Sequence, residues 1–281
     1  MRVNIRYIAS SGREYDLVTN GIRHKTANYH AWEWSPEGTE LQYGMRVSDF
    51  SKASAKYETE LLLMGTPQTR QTLINSLHDD FENDIRHKTP GRLIWGDYYL
   101  DCYMIQSSTE PVEDIERWTL NTITIFAAYP FWIREEHVML PVSTLQETSP
   151  YLDYEYDYQF DYTSPLVGAT WVKTDFPYES DFELIIYGVA VNPQIVINGY
   201  SYLLNMTVPA DYYVVIDSRT KTVILHAPDG TKINAFDSRN KIKSVFQKIP
   251  GGNLSITWNS AYGADLTIFR ERSEPRTEAE G

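Results

Sequence analysis

The alternation of apolar and polar positions predicts β-strands along most of the chain. Between Thr119 and Phe126, threonines alternate with leucine and isoleucine, which is typical of a strand with one buried face. Pro130 lacks a backbone N–H and interrupts this pattern, and a new apolar segment then runs to Pro141. We interpret residues 119–141 as the last strand of one domain followed by the start of a second.

One segment has the period of a helix instead. Apolar residues recur every third or fourth position and predict one buried stripe, namely Leu73, Ile74, Leu77, Phe81 and Ile85. Thr66 is suited to the N-cap and Pro67 to the first turn, so we predict a helix over residues 67–87. The acidic residues between these positions are interpreted as a solvated surface, with a partner surface as the alternative: Asp79, Asp80, Glu82 and Asp84.

The segment from His24 to Gln42 fits neither period. Its Trp32 and Trp34 lie two positions apart and would point to the same side of any strand. We interpret this segment as a loop or a protruding arm. Because exposed aromatic residues often anchor interfaces, Trp32 and Trp34 are predicted interface residues.

An alternation of mainly aromatic with mainly acidic residues runs from Tyr151 to Tyr162. As a strand it would place Tyr154, Tyr156 and Tyr158 on one face and carboxylates on the other. The aromatic face is suited to packing on its own domain, to packing on a neighbour or to stacking on sugar rings, and these three tyrosines are also predicted interface residues. Carboxylates at every second position form a ladder instead of an ion-wrapping loop, so no metal ligand is predicted.

The C-terminal half contains short apolar segments separated by turn signals, including Asn198-Gly199 and Asp229-Gly230. This spacing predicts a β-sandwich or jelly roll. The sequence therefore predicts a mainly β protein with four parts. They are an N-terminal β domain with one helix and an arm (1–135), a linker with the aromatic and acidic strand (136–165), a C-terminal β-sandwich (166–272) and a disordered tail (273–281).

Composition narrows the classes of function. A chain of 281 residues with 42% hydrophobic residues is long enough for two packed domains, and its 14% aromatic content favours strands. A net charge of −13 argues against binding nucleic acid through its phosphates. No apolar run is long enough to predict a membrane span. The single Cys102 excludes an internal disulfide and is predicted to be a small buried residue, and we expect the chain to fold in a reducing cytoplasm.

The sequence contains no motif for a catalytic site. The six histidines are scattered without the spacing of a zinc site, and no nucleophile elbow, P-loop or dinucleotide fingerprint occurs. We therefore predict no catalytic residue, no cofactor and no enzymatic activity. A two-carboxylate glycosidase stays open at this point, because the sequence does not show which acidic residues would pair across strands.

Several segments together resemble a known family. They are FAAYPFW (126–132), NPQIVING (192–199), VVIDSRTKTV (214–223), IPGGNLSITW (249–258) and the final strand LTIFRER (266–272). In this order and spacing, and over nearly the whole chain, they resemble the distal tail proteins, or Dit family, of siphophages, which are bacteriophages with long non-contractile tails.

This resemblance implies a structural role. Its members form a hexameric ring at the tail tip, built by the N-terminal domain, with a galectin-like C-terminal sandwich that points outward. The implied partners are five further copies of the chain, the tail tube protein, a Tal-like hub protein and receptor-binding proteins, with DNA only passing through the lumen. The implied location is the virion tail tip after synthesis in the host bacterial cytoplasm. The alternative is a carbohydrate-binding tail protein that contacts host-surface glycans.

Overall fold

The computed structural model describes residues 3–19, 21–111, 118–142, 167–174 and 176–276. The chain divides into two compact units, the first made of residues 1–134 and 271–281 and the second of residues 135–270. The predicted linker (136–165) lies largely outside the described residues, and the predicted domain boundaries stay a prediction. Of the predicted tail, residues 273–276 are described, and Pro275 among them is buried.

The first unit is a β-sandwich with one helix. Its elements are β1 (Ile5–Ile8), β2 (Glu14–Asp16), β3 (Ile22–Ala27), β4 (Ser35–Glu40), β5 (Met45–Ser51), β6 (Ala55–Met64), α1 (Pro67–His87), β7 (Gly91–Trp95), β8 (Tyr98–Pro111) and β9 (Trp118–Ala127). One sheet has the order β2-β1-β7-β8 and the other has the order β3-β6-β9-β8. The long strand β8 belongs to both sheets, because its first half pairs with β7 and its second half pairs with β9.

The helix α1 begins and ends where the sequence predicts. The hydroxyl of Thr66 accepts a hydrogen bond from the backbone N–H of Thr69, and Lys88 ends the helix in the left-handed conformation. The buried stripe, however, differs from the predicted one at its C-terminal end. Ile85 is 44% exposed, whereas Asp80 and Asp84 are buried.

The two buried aspartates are bonded to the first strands, so the interpretation of a wholly solvated acidic surface is wrong for them. Asp84 accepts hydrogen bonds from the hydroxyl of Tyr7 and from the backbone N–H of Ser10, the latter over 3.0 Å. Asp80 accepts one from the hydroxyl of Tyr15 over 2.5 Å. Such partners compensate the loss of hydration that burial of a polar group entails. The helix is therefore attached to the sheet through polar contacts as well as through Leu77 and Phe81.

The second unit is also a β-sandwich. Its strands include β11 (Val167–Val172), β12 (Asp181–Tyr187), β13 (Ala190–Val191), β14 (Gln194–Ile197), β15 (Tyr200–Leu203), β16 (Thr207–Val208), β17 (Tyr213–Asp217), β18 (Thr222–His226), β19 (Lys232–Asn234) and β20 (Leu254–Asn259). The chain enters this unit within β10 (Trp132–Leu140) and leaves it within β21 (Ala264–Arg272). One sheet contains β19-β18-β17-β12-β21, the other has the order β11-β20-β14-β15, and the short strands β13 and β16 pair with each other.

The core of the second unit follows from the alternation of its strands. Phe182, Leu184 and Ile186 of β12 are buried, whereas Glu183 and Ile185 between them are only half-buried. The predicted tight turn at Asn198-Gly199 is confirmed, because both residues have positive φ. A mainly β fold with a single α-helix is confirmed for the described residues. Within the same residues, no helix has the length and apolar character needed to cross a membrane.

Candidate assembly interface

Strands β4 and β5 form a two-stranded hairpin, which we name the hairpin arm (residues 35–51). In the described part of the chain these two strands pair only with each other. Every residue of both strands is exposed. At the tip, the backbone N–H of Leu41 donates a hydrogen bond to the carbonyl of Gly44 over 2.9 Å, and Gly44 has a φ of +81°. The arm thus has regular backbone pairing but no hydrophobic core of its own.

A β-bulge gives the arm two different faces. Glu37 lies opposite Asp49, but the next residue, Gly38, lies opposite Val47, so Ser48 is the extra residue. The hydroxyl of Ser48 donates to the carbonyl of Glu37 over 3.0 Å. A Cβ at Gly38 would lie 2.1 Å from the carbonyl oxygen of Arg46, so this crossing requires glycine.

The bulge brings the apolar side chains of β5 to the same face. If the same sequence alternated regularly, Phe50 would point away from Met45 and Val47, because successive residues of a strand alternate. With the bulge, Met45, Val47 and Phe50 lie opposite Glu40, Gly38 and Pro36 and share one face with them. We name the four apolar side chains of this face, Pro36, Met45, Val47 and Phe50, the apolar face of the arm; Glu40 lies at its end near the tip. The opposite face is polar and carries Ser35, Glu37, Thr39, Arg46, Asp49 and Ser51.

The apolar face is open to solvent. Phe50 is 55% exposed and Val47 46% exposed, and Tyr43 at the tip is 87% exposed. An isolated two-stranded hairpin is marginally stable in water, and contiguous exposed apolar surface is typical of protein contact sites. The arm therefore has the character of an element that another molecule completes.

The root of the arm is fixed by an aromatic and cationic cluster. The ammonium of Lys52 lies 4.3 Å from the centre of the Phe131 ring and 5.6 Å from the centre of the Trp34 ring. It also donates a hydrogen bond to the carbonyl of Pro130 over 2.7 Å. Burial lowers the pKa of Lys52 to about 8.

The two predicted tryptophans lie at this root and not along the arm. Trp34 packs edge-on against Phe131, and its indole N–H donates to the hydroxyl of Ser273 over 3.3 Å. Trp32 is 56% exposed and lines a surface cavity of about 290 Å³ together with Lys52 and Lys56. Their role as interface residues stays a prediction. The other three predicted interface residues, Tyr154, Tyr156 and Tyr158, lie outside the described residues.

Sequence reasoning misplaced the arm and missed its apolar face. It predicted the arm for 24–42, but residues 22–27 form β3, which pairs with β6, and the hairpin extends to Ser51. Val47 and Phe50 are three positions apart, a spacing that breaks the alternation expected of a strand. The dipeptide Ser48-Asp49 between them is the available signal of the bulge.

Away from the hairpin arm, two observations on the described residues concern catalysis and metal binding. Cys102 is fully buried, as predicted, and burial raises the pKa of its thiol, which keeps it protonated. In the ranges that the structure describes, no three or more histidine, cysteine or acidic residues are grouped to hold a metal ion.

Comparison with known proteins identifies the fold. No family model and no curated protein matches the sequence. A chain of the phage P2 baseplate in its activated conformation with Ca superimposes with a TM-score of 0.61 at 14% identity, covering 98% of this chain and 100% of that one. The same baseplate with Sr gives a TM-score of 0.60 at 14% identity and the same coverage.

A third similar structure is the SPP1 Dit (gp 19.1) protein, described as a hub adsorption apparatus in phages that infect Gram-positive bacteria. It superimposes with a TM-score of 0.58 at 10% identity, covering 97% of this chain and all of that one. The fold of this chain is therefore that of phage baseplate and Dit hub proteins over nearly its whole length.

Proposed function

We propose that this chain is a structural subunit of the tail tip of a bacteriophage. In this proposal six copies form a ring that joins the tail tube to the host-recognition apparatus, and DNA passes through its lumen. Its partners are the tail tube protein, a Tal-like hub protein and receptor-binding proteins. It is made in the cytoplasm of the host bacterium and acts in the virion, without enzymatic activity.

The fold supports the general class, because all three similar structures are phage baseplate or Dit proteins. The observation that carries the ring is the apolar face of the hairpin arm. A closed ring requires a heterologous contact, in which one surface of a subunit meets a different surface of the next. A protruding, amphipathic hairpin whose apolar face is covered by no described residue of its own chain supplies one half of such a contact.

The absence of enzymatic activity is supported by the sequence and by Cys102. None of the nucleophile, zinc or nucleotide motifs occurs in the sequence. The thiol of Cys102 is enclosed in the core of the first unit, where substrate has no access.

The arm can be tested without disturbing the core. In the double variant Val47→Asp, Phe50→Asp we expect the native mass to fall from a hexamer to a monomer, because charges on the apolar face oppose its burial against a neighbour. The matched control, Thr39→Asp with Ser51→Asp, adds the same charge to the polar face of the same hairpin and should assemble like the unchanged protein. Native mass spectrometry across concentration measures both.

Thermal unfolding provides the second readout. Both double variants should melt close to the unchanged protein when all are monomeric, since the substituted side chains are exposed. Equal ring formation by the two variants would show that the arm does not form the contact. A monomer at every soluble concentration of the unchanged protein would contradict a ring that closes through this chain alone.

A further inference from the structure

A row of side chains crosses the outer face of strands β12, β17, β18 and β19 in the second unit. Tyr187 lies opposite Tyr213, Tyr213 opposite His226, and His226 opposite Lys232. Directly opposed residues share one face of a sheet, and the alternating neighbours Ile186 and Val214 are buried in the core, so the row faces outward. We name these four residues the aromatic row.

The rings of the row are in contact. The centres of Tyr187 and Tyr213 are 6.3 Å apart, and the rings of Tyr213 and His226 stack at 4.6 Å with an angle of 10° between their planes. Adjacent strands are about 4.8 Å apart, so a row over four strands spans roughly 14 Å. This length fits a chain of linked rings better than a single small ion.

The two ends of the row differ in charge. At one end, the hydroxyl of Tyr187 donates to the carboxylate of Asp265 over 2.7 Å. At the other end, Lys232 lies on the edge strand β19 and lines a depression of about 340 Å³ together with Lys221 and Phe236. Neither lysine forms an ion pair with any residue that the structure describes. The basic end is therefore available to an anionic group.

The basic end belongs to a wider asymmetry of charge. Residues 219–248 contain seven of the 25 lysines and arginines of the chain and only two of its 38 acidic residues. The chain as a whole has a net charge of −13. Of these seven, Lys221 and Lys232 line the depression, whereas Lys243 lies over the ring of Tyr200 in the other sheet and Lys248 pairs with Asp181. The attraction of an anion to the depression therefore comes from its two lysines.

We propose that the aromatic row and the adjoining basic depression bind an anionic glycan, a short chain of sugar rings that carries phosphate or carboxylate groups. The ring of Tyr187, which is 40% exposed, offers apolar surface to the C–H face of a sugar. The edges of the stacked Tyr213 and His226 rings, with their polar atoms, and Asp265 exchange hydrogen bonds with hydroxyl groups. Lys221 and Lys232 hold the anionic group. A glycan with its charge near one end matches a face that is acidic at one end and basic at the other.

The same face disfavours a nucleic acid. Glu183 and Asp217 lie opposite each other on it, four positions along their strands from Tyr187 and Tyr213. A strand with a phosphate at every nucleotide would bring negative charge against these carboxylates, whereas a glycan with sparse charge avoids them. This inference does not depend on the ring, because its residues all belong to the second unit and the arm belongs to the first.

The test is a binding measurement on the full chain with defined probes. The probes are short oligosaccharides that carry phosphate, carboxylate or sulfate, the neutral counterpart of each, inorganic phosphate and oligothymidylate. We expect at least one anionic oligosaccharide to bind more tightly than its neutral counterpart, than inorganic phosphate and than oligothymidylate. Isothermal titration calorimetry gives the dissociation constants.

Variants locate the site. The double variant Lys221→Glu, Lys232→Glu should raise the dissociation constant of the tightest-binding oligosaccharide at least about tenfold, because reversed charge repels the anionic group. The control Arg23→Glu with Lys173→Glu changes the net charge equally at exposed positions elsewhere and should leave binding unchanged. Tyr187→Ala should weaken binding of the same oligosaccharide about fivefold. Tyr187→Phe keeps the ring and should weaken this binding less.

Three results would overturn the proposal. The first is that no anionic oligosaccharide binds. The second is that oligothymidylate binds as tightly as the best oligosaccharide. The third is that the two double variants lose the same affinity for it. Unchanged melting temperatures of the variants verify that the fold is intact. The failure of this proposal is distinct from the failure of the ring, because the charge variants should keep the native mass of the unchanged protein.

Discussion

The helix and the hairpin arm, both in the first unit, invert the usual distribution of polar and apolar residues in different ways. The helix buries two aspartates, and the arm exposes Met45, Val47 and Phe50. The buried aspartates have partners within the same chain, in Tyr7, Tyr15 and Ser10. The exposed apolar face is covered by no described residue.

This difference separates a feature that stabilises the subunit from a proposed interface. A polar residue that is buried with satisfied hydrogen bonds contributes to the stability of the subunit itself. An apolar face left in water contributes to stability only when something covers it. The helix should therefore affect the unfolding of the subunit, and the arm should affect its assembly. The following three predictions test this comparison, ordered by their expected effect on the free energy of unfolding of the subunit.

The largest effect is expected for Asp84→Ala. The substitution leaves the buried hydroxyl of Tyr7 and the backbone N–H of Ser10 without their acceptor. We expect a loss of about 3 kcal/mol in the free energy of unfolding, measured by urea denaturation, because unsatisfied buried polar groups are costly. Asp79→Ala on the exposed side of the same helix should change it by less than about 0.5 kcal/mol. Equal effects would show that the buried aspartate does not anchor the helix.

A smaller effect, dependent on pH, is expected for Tyr15→Phe. At neutral pH the loss of the hydrogen bond to Asp80 should cost about 1 kcal/mol. Burial, together with this hydrogen bond, raises the pKa of Tyr15 to about 12. A raised pKa favours the neutral phenol in the folded state, so this stability is present below pH 10 and is lost as the pH rises through about 12.

The measurement for Tyr15→Phe is urea unfolding of both proteins at a series of alkaline pH values. The free energy of unfolding of the unchanged protein exceeds that of the phenylalanine variant at neutral pH, and this difference should shrink between pH 10 and pH 12. An advantage that is constant across this range would mean that Tyr15 titrates alike in the folded and unfolded chains.

The smallest effect on unfolding is expected from insertion of one serine between Glu37 and Gly38. The inserted residue pairs with Ser48 and removes the bulge, so β5 alternates regularly and Val47 and Phe50 no longer share a face. We expect the free energy of unfolding of the monomer to change by less than about 0.5 kcal/mol, because the arm is exposed throughout. The native mass should nevertheless fall to that of a monomer. Ring formation by this variant would show that the apolar face is not the contact surface.

The strands and the helix could largely be predicted from the sequence, because their signals are local. The Thr66-Pro67 start, the stripe through Leu77 and Phe81 and the turn at Asn198-Gly199 depend on residues a few positions apart. The burial of Asp80 and Asp84 could not be predicted in this way. Their partners lie between 65 and 77 residues away, and only the packing of the helix on β1 and β2 brings them together.

The candidate sites show the same limit. The sequence indicated an arm and predicted Trp32 and Trp34 as interface residues, which stays a prediction. The apolar face depends on a bulge that changes the pairing by one residue. The aromatic row depends on register as well, because Tyr187, Tyr213, His226 and Lys232 come from four strands and are adjacent only across the sheet. A shift of one residue in any pairing would turn a side chain to the other face.

By itself the sequence determined the type of most elements, the presence of two sandwich-forming halves and the resemblance to the distal tail proteins. These follow from periodicity, turn residues and the order of segments, which are properties of neighbouring residues. Only the tertiary structure decided which polar groups are buried, which apolar side chains share an exposed face and which rings form a row. Those features depend on strand register and on contacts between distant residues, and local patterns along a chain do not encode them.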